Sequence, residues 1–370
     1  MKIAVYGIGN VCKHLCEIIE KRKEVEVVYF IQTAKTQNTF LGKRIISIDE
    51  IGWKDFDILV IATTKYYKEI VELLEKKYSQ KDINGKIVKA SDYLFNAKII
   101  TKPYDSVKTE EGLVFIADSR DKTILEYMLA TGKTWSYSMI DRFFELSEKY
   151  YSKKRKMQKG IFLDIGANIG TTSIYVNKII NNKLKIIGFE PVKINYNLFR
   201  ANCILNSIDN ICIEPFGLSN ASNRLSIAYS MENPGGATID KEQNGVKNKP
   251  ETEEIAVITL DSYVEQKNIS SEEIDYIWLD VEGHEVEVLE GAFNTLSGGH
   301  IPLIQEFNAV YYIETDRLKK YCNIIKNFYN SFIDLHSLNG EIQSINIEEI
   351  ENYAWNLKRK GKSATDLFFF

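Results

Sequence analysis

Cysteine is scarce in this sequence, with five residues in 370, and none of them forms a Cys-x-x-Cys pair. The odd, scattered set (Cys12, Cys16, Cys203, Cys212, Cys322) excludes a disulfide framework and a thiolate zinc site, and favours reduced thiols. Cys12 and Cys16 lie four apart on a predicted helix, as buried small hydrophobes would. Histidine is scarcer still, at four residues. No apolar run approaches the ~20 residues that span a bilayer. A surplus of one charge is also missing: 47 basic side chains face 51 acidic ones, a net charge of −4. That balance argues against bulk nucleic-acid binding. The basic runs Lys153-Lys154-Arg155-Lys156 and Lys358-Arg359-Lys360 read as solvated faces. The opening Met1-Lys-Ile-Ala-Val-Tyr-Gly7 is a strand entering a turn, not a signal peptide. A soluble, cytoplasmic chain of two or more domains is the expectation.

Short apolar runs alternate with helical patterns along most of the chain, which argues for parallel sheets covered on both faces. Residues 1–98 are expected to form a smaller Rossmann-like α/β module. Its turn Gly7-Ile-Gly9-Asn10 is an incomplete dinucleotide fingerprint. Cys12 stands where the third glycine belongs, and Gln32 near the end of the second strand replaces the ribose-binding acid. NAD is therefore disfavoured. A structural module, a nucleotide or nucleotide-sugar site, or an oligomerisation unit are the remaining readings. Residues 99–158 read as a mainly helical connector, with Leu113-Val-Phe-Ile116 a short strand and Thr123 to Tyr151 mostly helix. Its aromatics suit helix packing, although Trp135-Ser136-Tyr137 could wall a sugar pocket.

From Gly160 a second βα series begins, and residues 159–370 are expected to carry the chemistry. Its first strand, Ile161 to Leu163, ends in Asp164 and turns through Gly166-Ala-Asn168-Ile-Gly170 into a helix. Glycine at such a turn lets a ligand approach the backbone. A carboxylate there would repel a pyrophosphate but suits a cofactor bearing an amino group and a sulfonium, which points to S-adenosylmethionine. Further strands end near Glu190-Pro191, Glu214, Asp280 and Glu306. Ligands sit beyond the carboxyl ends of parallel strands, so Asp164, Glu190, Asp280 and Glu306 form a candidate acidic set. Glu190 fits a ribose clamp, Asn168 the amino-acid end, and Glu214 or Phe216 the adenine. The stretch Ser230 to Glu254, with Asn233-Pro-Gly-Gly236 and Asn244-Gly245, reads as loop or hairpin, and Asn339-Gly340 as a second hairpin turn.

Asp280-Val-Glu282-Gly-His284-Glu285 is an acidic turn between a strand and a helix. His284, bracketed by Asp280, Glu282 and Glu285, is the expected proton acceptor, with Asp280 and Glu282 facing the reacting groups. Asp280, His284 and Glu306 are an alternative set for a divalent cation, which is not favoured.

These blocks resemble the FkbM family of S-adenosylmethionine-dependent methyltransferases. The resemblance is carried by Phe162-Leu-Asp-Ile-Gly-Ala-Asn-Ile-Gly170, Phe189-Glu-Pro191, the helix Asn195 to Asn202, Thr259-Leu-Asp261, Asp280-Val-Glu-Gly-His-Glu285 and Val288-Leu-Glu-Gly291. It implies a class I methyltransferase fold over roughly residues 110–370, and O-methylation of a sugar or natural-product alcohol. The acceptor it implies is a small molecule or a nucleotide-linked sugar of a surface-polysaccharide pathway. The expected cofactor set is Asp164, Gly166, Ala167, Asn168, Gly170, Ser173, Glu190, Pro191, Asn195, Glu214, Phe216 and Asp280. A dinucleotide-dependent oxidoreductase using the N-terminal turn is the competing reading.

Overall fold

The computed structural model describes residues 1–20, 24–63, 66–90, 93, 104–151, 160–239, 251–336 and 343–370. The expected junctions at 98/99 and 158/159, the basic run 153–156, and the turns Asn244-Gly245 and Asn339-Gly340 lie outside these residues. No helix among the described residues is long and apolar enough to cross a membrane.

The N-terminal sheet contains β1 (Lys2–Tyr6), β2 (Glu26–Gln32), β3 (Thr39–Phe40), β4 (Lys43–Ser47), β5 (Ile58–Ile61) and β6 (Ile87–Lys89). They line up in the order β3-β4-β2-β1-β5-β6, and β4, β2, β1, β5 and β6 run parallel. Helix α1 (Asn10–Glu20) follows β1, and α2 (Tyr67–Lys77) follows β5. Burial on both faces explains the unbroken apolar runs Ile3-Ala-Val and Leu59-Val-Ile.

A hairpin of β7 (Tyr104–Lys108) and β8 (Val114–Asp118) leads into α3 (Ile124–Thr131) and α4 (Tyr137–Tyr151). The predicted single helical stretch thus breaks around residues 132–136, which puts Trp135 in a turn. The aromatic belt is largely core: Phe143 is fully buried and meets Tyr276, Trp278 and Phe368 edge-on at 5.8–6.1 Å.

The second sheet runs β11-β10-β9-β16-β17-β20-β18-β19. Its strands are β9 (Ile161–Ile165), β10 (Lys185–Phe189), β11 (Ile211–Glu214), β16 (Ile274–Leu279), β17 (Leu303–Asn308), β18 (Ser331–Asp334), β19 (Ile345–Asn346) and β20 (Ala364–Phe369). β9, β10, β11, β16 and β17 are parallel, and β20 lies antiparallel between β17 and β18. This is the class I arrangement that the resemblance implies.

One expectation needs correction. Asp164 and Glu306 are not beyond their strands: Asp164 is the fourth residue of β9, and Glu306 pairs with Asp366 inside β17. The hairpin reading of the stretch Ser230 to Glu254 holds at its start, where an antiparallel pair turns after Ser230 and belongs to an additional sheet. There β12 (Gly217–Leu218), β15 (Glu251–Ile258), β13 (Asn223–Ser230) and β14 (Asn233–Thr238) lie side by side. Pro and Gly weaken a strand, but β14 is an edge, where the missing donor of Pro234 costs no ladder bond.

Helix α5 (Thr171–Ile179) follows β9, and α6 (Lys193–Leu205) follows β10. α6 serves two neighbours. Toward the hairpin, Asn202 and Asn206 present their amides to β8 as a strand would. Ile116 N donates to Asn202 Oδ1 at 2.7 Å, and Asn202 Nδ2 donates to Ile116 O at 3.2 Å and Ile169 O at 2.9 Å. Asn206 repeats the pattern on Val114 at 2.8 and 2.6 Å. Asn202→Ala leaves three buried backbone groups without partners, so urea unfolding should show a loss of about 3 kcal/mol. A change below ~0.5 kcal/mol would contradict this role.

Toward the N-terminal half, α6 packs on α1. The buried Arg200 donates from Nη2 to His14 O at 2.8 Å and pairs with Glu17 at 2.6 Å. Ile204 belongs to the same core as Ile3, Val5 and Cys12, so the halves share apolar packing. Cys12 and Cys16 are free thiols, buried, with sulfurs 4.0 Å apart.

Candidate active site

The glycine turn after β9 is stitched to the strands on either side. Gly166 N and Ala167 N donate to Phe189 O at 3.1 and 3.0 Å, and Asp280 N donates to Ile165 O at 3.0 Å. Gly166 has φ +89°, and a Cβ there would stand 1.8 Å from the Asp280 carbonyl oxygen. Only glycine lets β9 and β16 close on each other this tightly. Gly170 likewise makes room for the Phe199 ring.

Asp164 lies behind this turn. It is 1% exposed and accepts from Ser173 Oγ at 2.5 Å, and burial raises its carboxyl to about 7. Neither Asp164 nor Ser173 is among the residues that line the two cavities at this turn.

Two cavities meet at the turn. The inner recess, about 60 Å³, is lined by Glu190, Pro191, Val192, Asn195 and His284, among others. The outer cavity, about 250 Å³, is lined by Ala167, Trp135, Trp278 and Glu306, among others. Gly166, Asn168, Gly235, Asp280 and Glu282 line both. Asn168 (φ 49°) and Glu282 (φ 51°) hold left-handed backbone in this shared wall. Such strain costs about 1–2 kcal/mol per residue and concentrates at working sites.

Glu190 is 4% exposed and accepts from Asn168 N and Val192 N, each at 2.8 Å, one per carboxylate oxygen. Each oxygen keeps a lone pair for a ligand hydroxyl. Burial pushes Glu190 up to about 8. Asn195 is 1% exposed, and its Nδ2 donates to Pro234 O at 3.1 Å. Its Oδ1 is buried without a partner, an acceptor left for a ligand amine or hydroxyl.

Glu214 and Phe216, expected beside the adenine, do not line the recess. Glu214 accepts from Tyr263 Oη at 2.8 Å and pairs with Lys267 at 3.1 Å, while Phe216 packs on Phe189 and Tyr263. Ile227, Ile255 and Val257 of the additional sheet form that wall instead. Sequence reasoning missed them because β13 and β15 were not foreseen as strands.

The acidic turn is held from inside by Glu285, whose sequence signal was only its place beside His284. Its Oε1 accepts from Gly283 N at 3.0 Å and Val281 N at 3.3 Å, and its Oε2 from Tyr312 Oη at 2.6 Å. Arg317 Nη1 donates to Gly283 O at 3.0 Å, and Thr238 Oγ1 to Glu282 O at 3.1 Å. Asp280 and Glu282 are thereby fixed against the shared wall.

Asp280, Glu282 and Glu306 each offer a carboxylate oxygen, all within 4.8 Å of one another. Burial, followed by repulsion from neighbouring carboxylates (Glu285 in the case of Glu282), raises all three above the usual carboxylate range, Glu282 to about 7. At neutral pH the group therefore holds protons in common. Three oxygens so placed also resemble a hard-cation site, but His284, expected in such a set, is not among them.

His284 turns the other way. Its Nε2 meets Ser219 Oγ at 2.9 Å, and its Nδ1 faces Glu287 at 3.4 Å. Burial lowers its basicity, so the ring is neutral, as expected. However, it lines the inner recess alone and not the outer cavity.

Residues 164–335 match the methyltransferase FkbM domain, and residues 1–84 match the C2185-like N-terminal family. Over 153 residues the chain is 28% identical to methyltransferase sdnD of Sordaria araneosa, an alignment covering 35% of this chain and 59% of that relative. The chain thus spans under two thirds of that relative's length. Among solved structures, methyltransferase FkbM of Methylobacillus flagellatus is 16% identical, with 100% of this chain and 90% of that chain covered and a TM-score of 0.35. The S-adenosylmethionine-dependent O-methyltransferase of Thermotoga maritima is 9% identical, with 74% and 80% covered and a TM-score of 0.32.

Proposed function

We propose that the region matching the methyltransferase FkbM domain moves a methyl group from S-adenosylmethionine to a hydroxyl of a sugar or sugar-bearing precursor. One observation carries this reading. A recess and a cavity share a wall, and that wall contains Asp280 and Glu282. Group transfer needs donor and acceptor held in line across such a boundary.

The residues of the inner recess fit the donor. Glu190 has spare lone pairs for both ribose hydroxyls, the orphaned Asn195 Oδ1 suits the adenine amine or a hydroxyl, and Asn168 stands at the shared wall. When bound, S-adenosylmethionine supplies an electrophilic methyl group on a sulfonium. A sulfonium beside these raised carboxyl groups favours their ionised form, whose charge compensates it. The recess as it stands is smaller than the ~300 Å³ of an ordinary small-molecule site. β14 contributes Gly235 and Ala237 to its lining.

On the acceptor side, Asp280, Glu282 and Glu306 accept hydrogen bonds from several hydroxyls at once, and Trp135 offers a ring face to the C–H side of a sugar. Glu282, which lines both cavities and titrates near neutrality, takes the proton of the reacting hydroxyl. His284, through Ser219 and Glu287, serves as a positioning residue behind that turn.

Calorimetric titration with S-adenosylhomocysteine tests the donor half. Saturable binding is expected, weakened at least tenfold, roughly 1.4 kcal/mol, in Glu190→Ala. No binding by the intact protein would overturn the reading.

A further inference from the structure

A cavity of about 570 Å³ in the N-terminal half takes no part in this chemistry. It lies at the carboxyl ends of β1, β2 and β5, where the strand order changes direction at β1. Open parallel sheets bind ligands at such switch points, and the volume is that of a small-molecule site. Its lining includes Gly9, Gln32, Thr33, Tyr66 and Glu69, together with Asp209 from the loop before β11. The cavity is therefore walled by both halves of the chain.

We propose that this cavity binds a nucleoside diphosphate, free or as its sugar ester. The first amide groups of the eleven-residue α1 have no acceptor within the helix and carry its positive dipole end. They open beside Gly9, where an added Cβ would meet nothing within 4 Å, so a diphosphate can lie against the backbone. At the end of β2, Gln32 Oε1 accepts from Thr36 N and Oγ1, both at 3.2 Å, which orients its amide N–H donors for ribose or phosphate oxygens.

Tyr66, 47% exposed, offers a ring face on which a base can stack. Glu69 and Asp209 are acceptors for the hydroxyls of a hexose. Gln32, standing in place of a ribose-binding carboxylate, sets the site against NAD.

This proposal does not depend on methyl transfer, and its test reads a different site. The full chain is titrated calorimetrically with ADP, GDP, UDP, UDP-glucose, GDP-mannose and NAD. At least one nucleoside diphosphate or sugar ester should bind with a dissociation constant below about 0.1 mM. Gly9→Leu, which places a side chain in open space, should weaken it about tenfold or more. An unchanged thermal midpoint controls for folding, and unchanged S-adenosylhomocysteine binding controls for the other site. A sugar ester that outbinds its free diphosphate, with the difference erased in Glu69→Gln, assigns the hexose to Glu69; equal affinities assign the free nucleotide. Absence of binding up to about 1 mM, wild-type affinity in a folded Gly9→Leu, or preference for NAD would each overturn the proposal.

Discussion

Glu282→Gln should lower kcat by about 10²–10⁴-fold while leaving S-adenosylhomocysteine affinity within a few-fold of wild type. The amide keeps the shape of the side chain and the left-handed backbone at φ 51°, but it cannot take a proton. The pH profile separates this from a structural effect. The base must be unprotonated to act, and burial and Glu285 raise Glu282 to about 7. As pH falls through 7 the carboxylate is protonated, so kcat/KM should decline on the acid side and level off above it. In Glu282→Gln the residual rate should lose that limb.

His284→Ala makes the contrast. Because its ring is spent on Ser219 and faces Glu287, its loss should act through the turn, with the acid limb retained. A chelator should leave turnover unchanged. Loss restored by a divalent cation would assign the three carboxylates to a metal instead.

Gly166→Ala should have the largest effect on the fold of the site. Its Cβ would fall 1.8 Å from the Asp280 carbonyl oxygen, at a φ of +89° that alanine resists. Neither β9 nor β16 can yield, since Ile165 O holds Asp280 N and Phe189 O holds Gly166 N. A loss of about 2–4 kcal/mol in urea unfolding and at least tenfold in S-adenosylhomocysteine affinity is expected. Gly9→Leu, with nothing within 4 Å of its added Cβ, should show no such loss of stability. Equal stability of Gly166→Ala and wild type would contradict the close approach.

Much of the fold was legible because parallel strands buried on both faces read as short apolar runs between helical patterns. Ile161 to Leu163, Tyr276 to Leu279 and Leu303 to Phe307 all fall within observed strands. Glu190 and the Gly166 turn were legible from their place after strands. Asp164 was legible from its place before the glycine turn, but the sequence pattern does not say what a buried acid meets inside the fold. It meets Ser173.

The acidic turn shows the same limit. Residue chemistry favours histidine as the proton acceptor because its ordinary pKa lies near neutrality. Which acid faces the acceptor and which anchors the backbone depends on contacts with Tyr312, Arg317 and Thr238, all distant in sequence. The wall of Ile227, Ile255 and Val257 escaped notice because the strands β13 and β15 that carry it were not foreseen beside the expected hairpin turn.

The central claim is that a methyl group crosses the wall shared by the recess and the cavity and ends on a sugar oxygen. Its most direct test uses S-adenosylmethionine carrying a trideuterated methyl group, incubated with the protein and a panel of free and nucleotide-linked hexoses. Products are read by mass spectrometry and NMR. The account predicts a deuterated methyl ether on one hydroxyl of one acceptor, formed by wild type and lost in Glu282→Gln. Label on nitrogen or carbon, or undiminished transfer in Glu282→Gln, would contradict it.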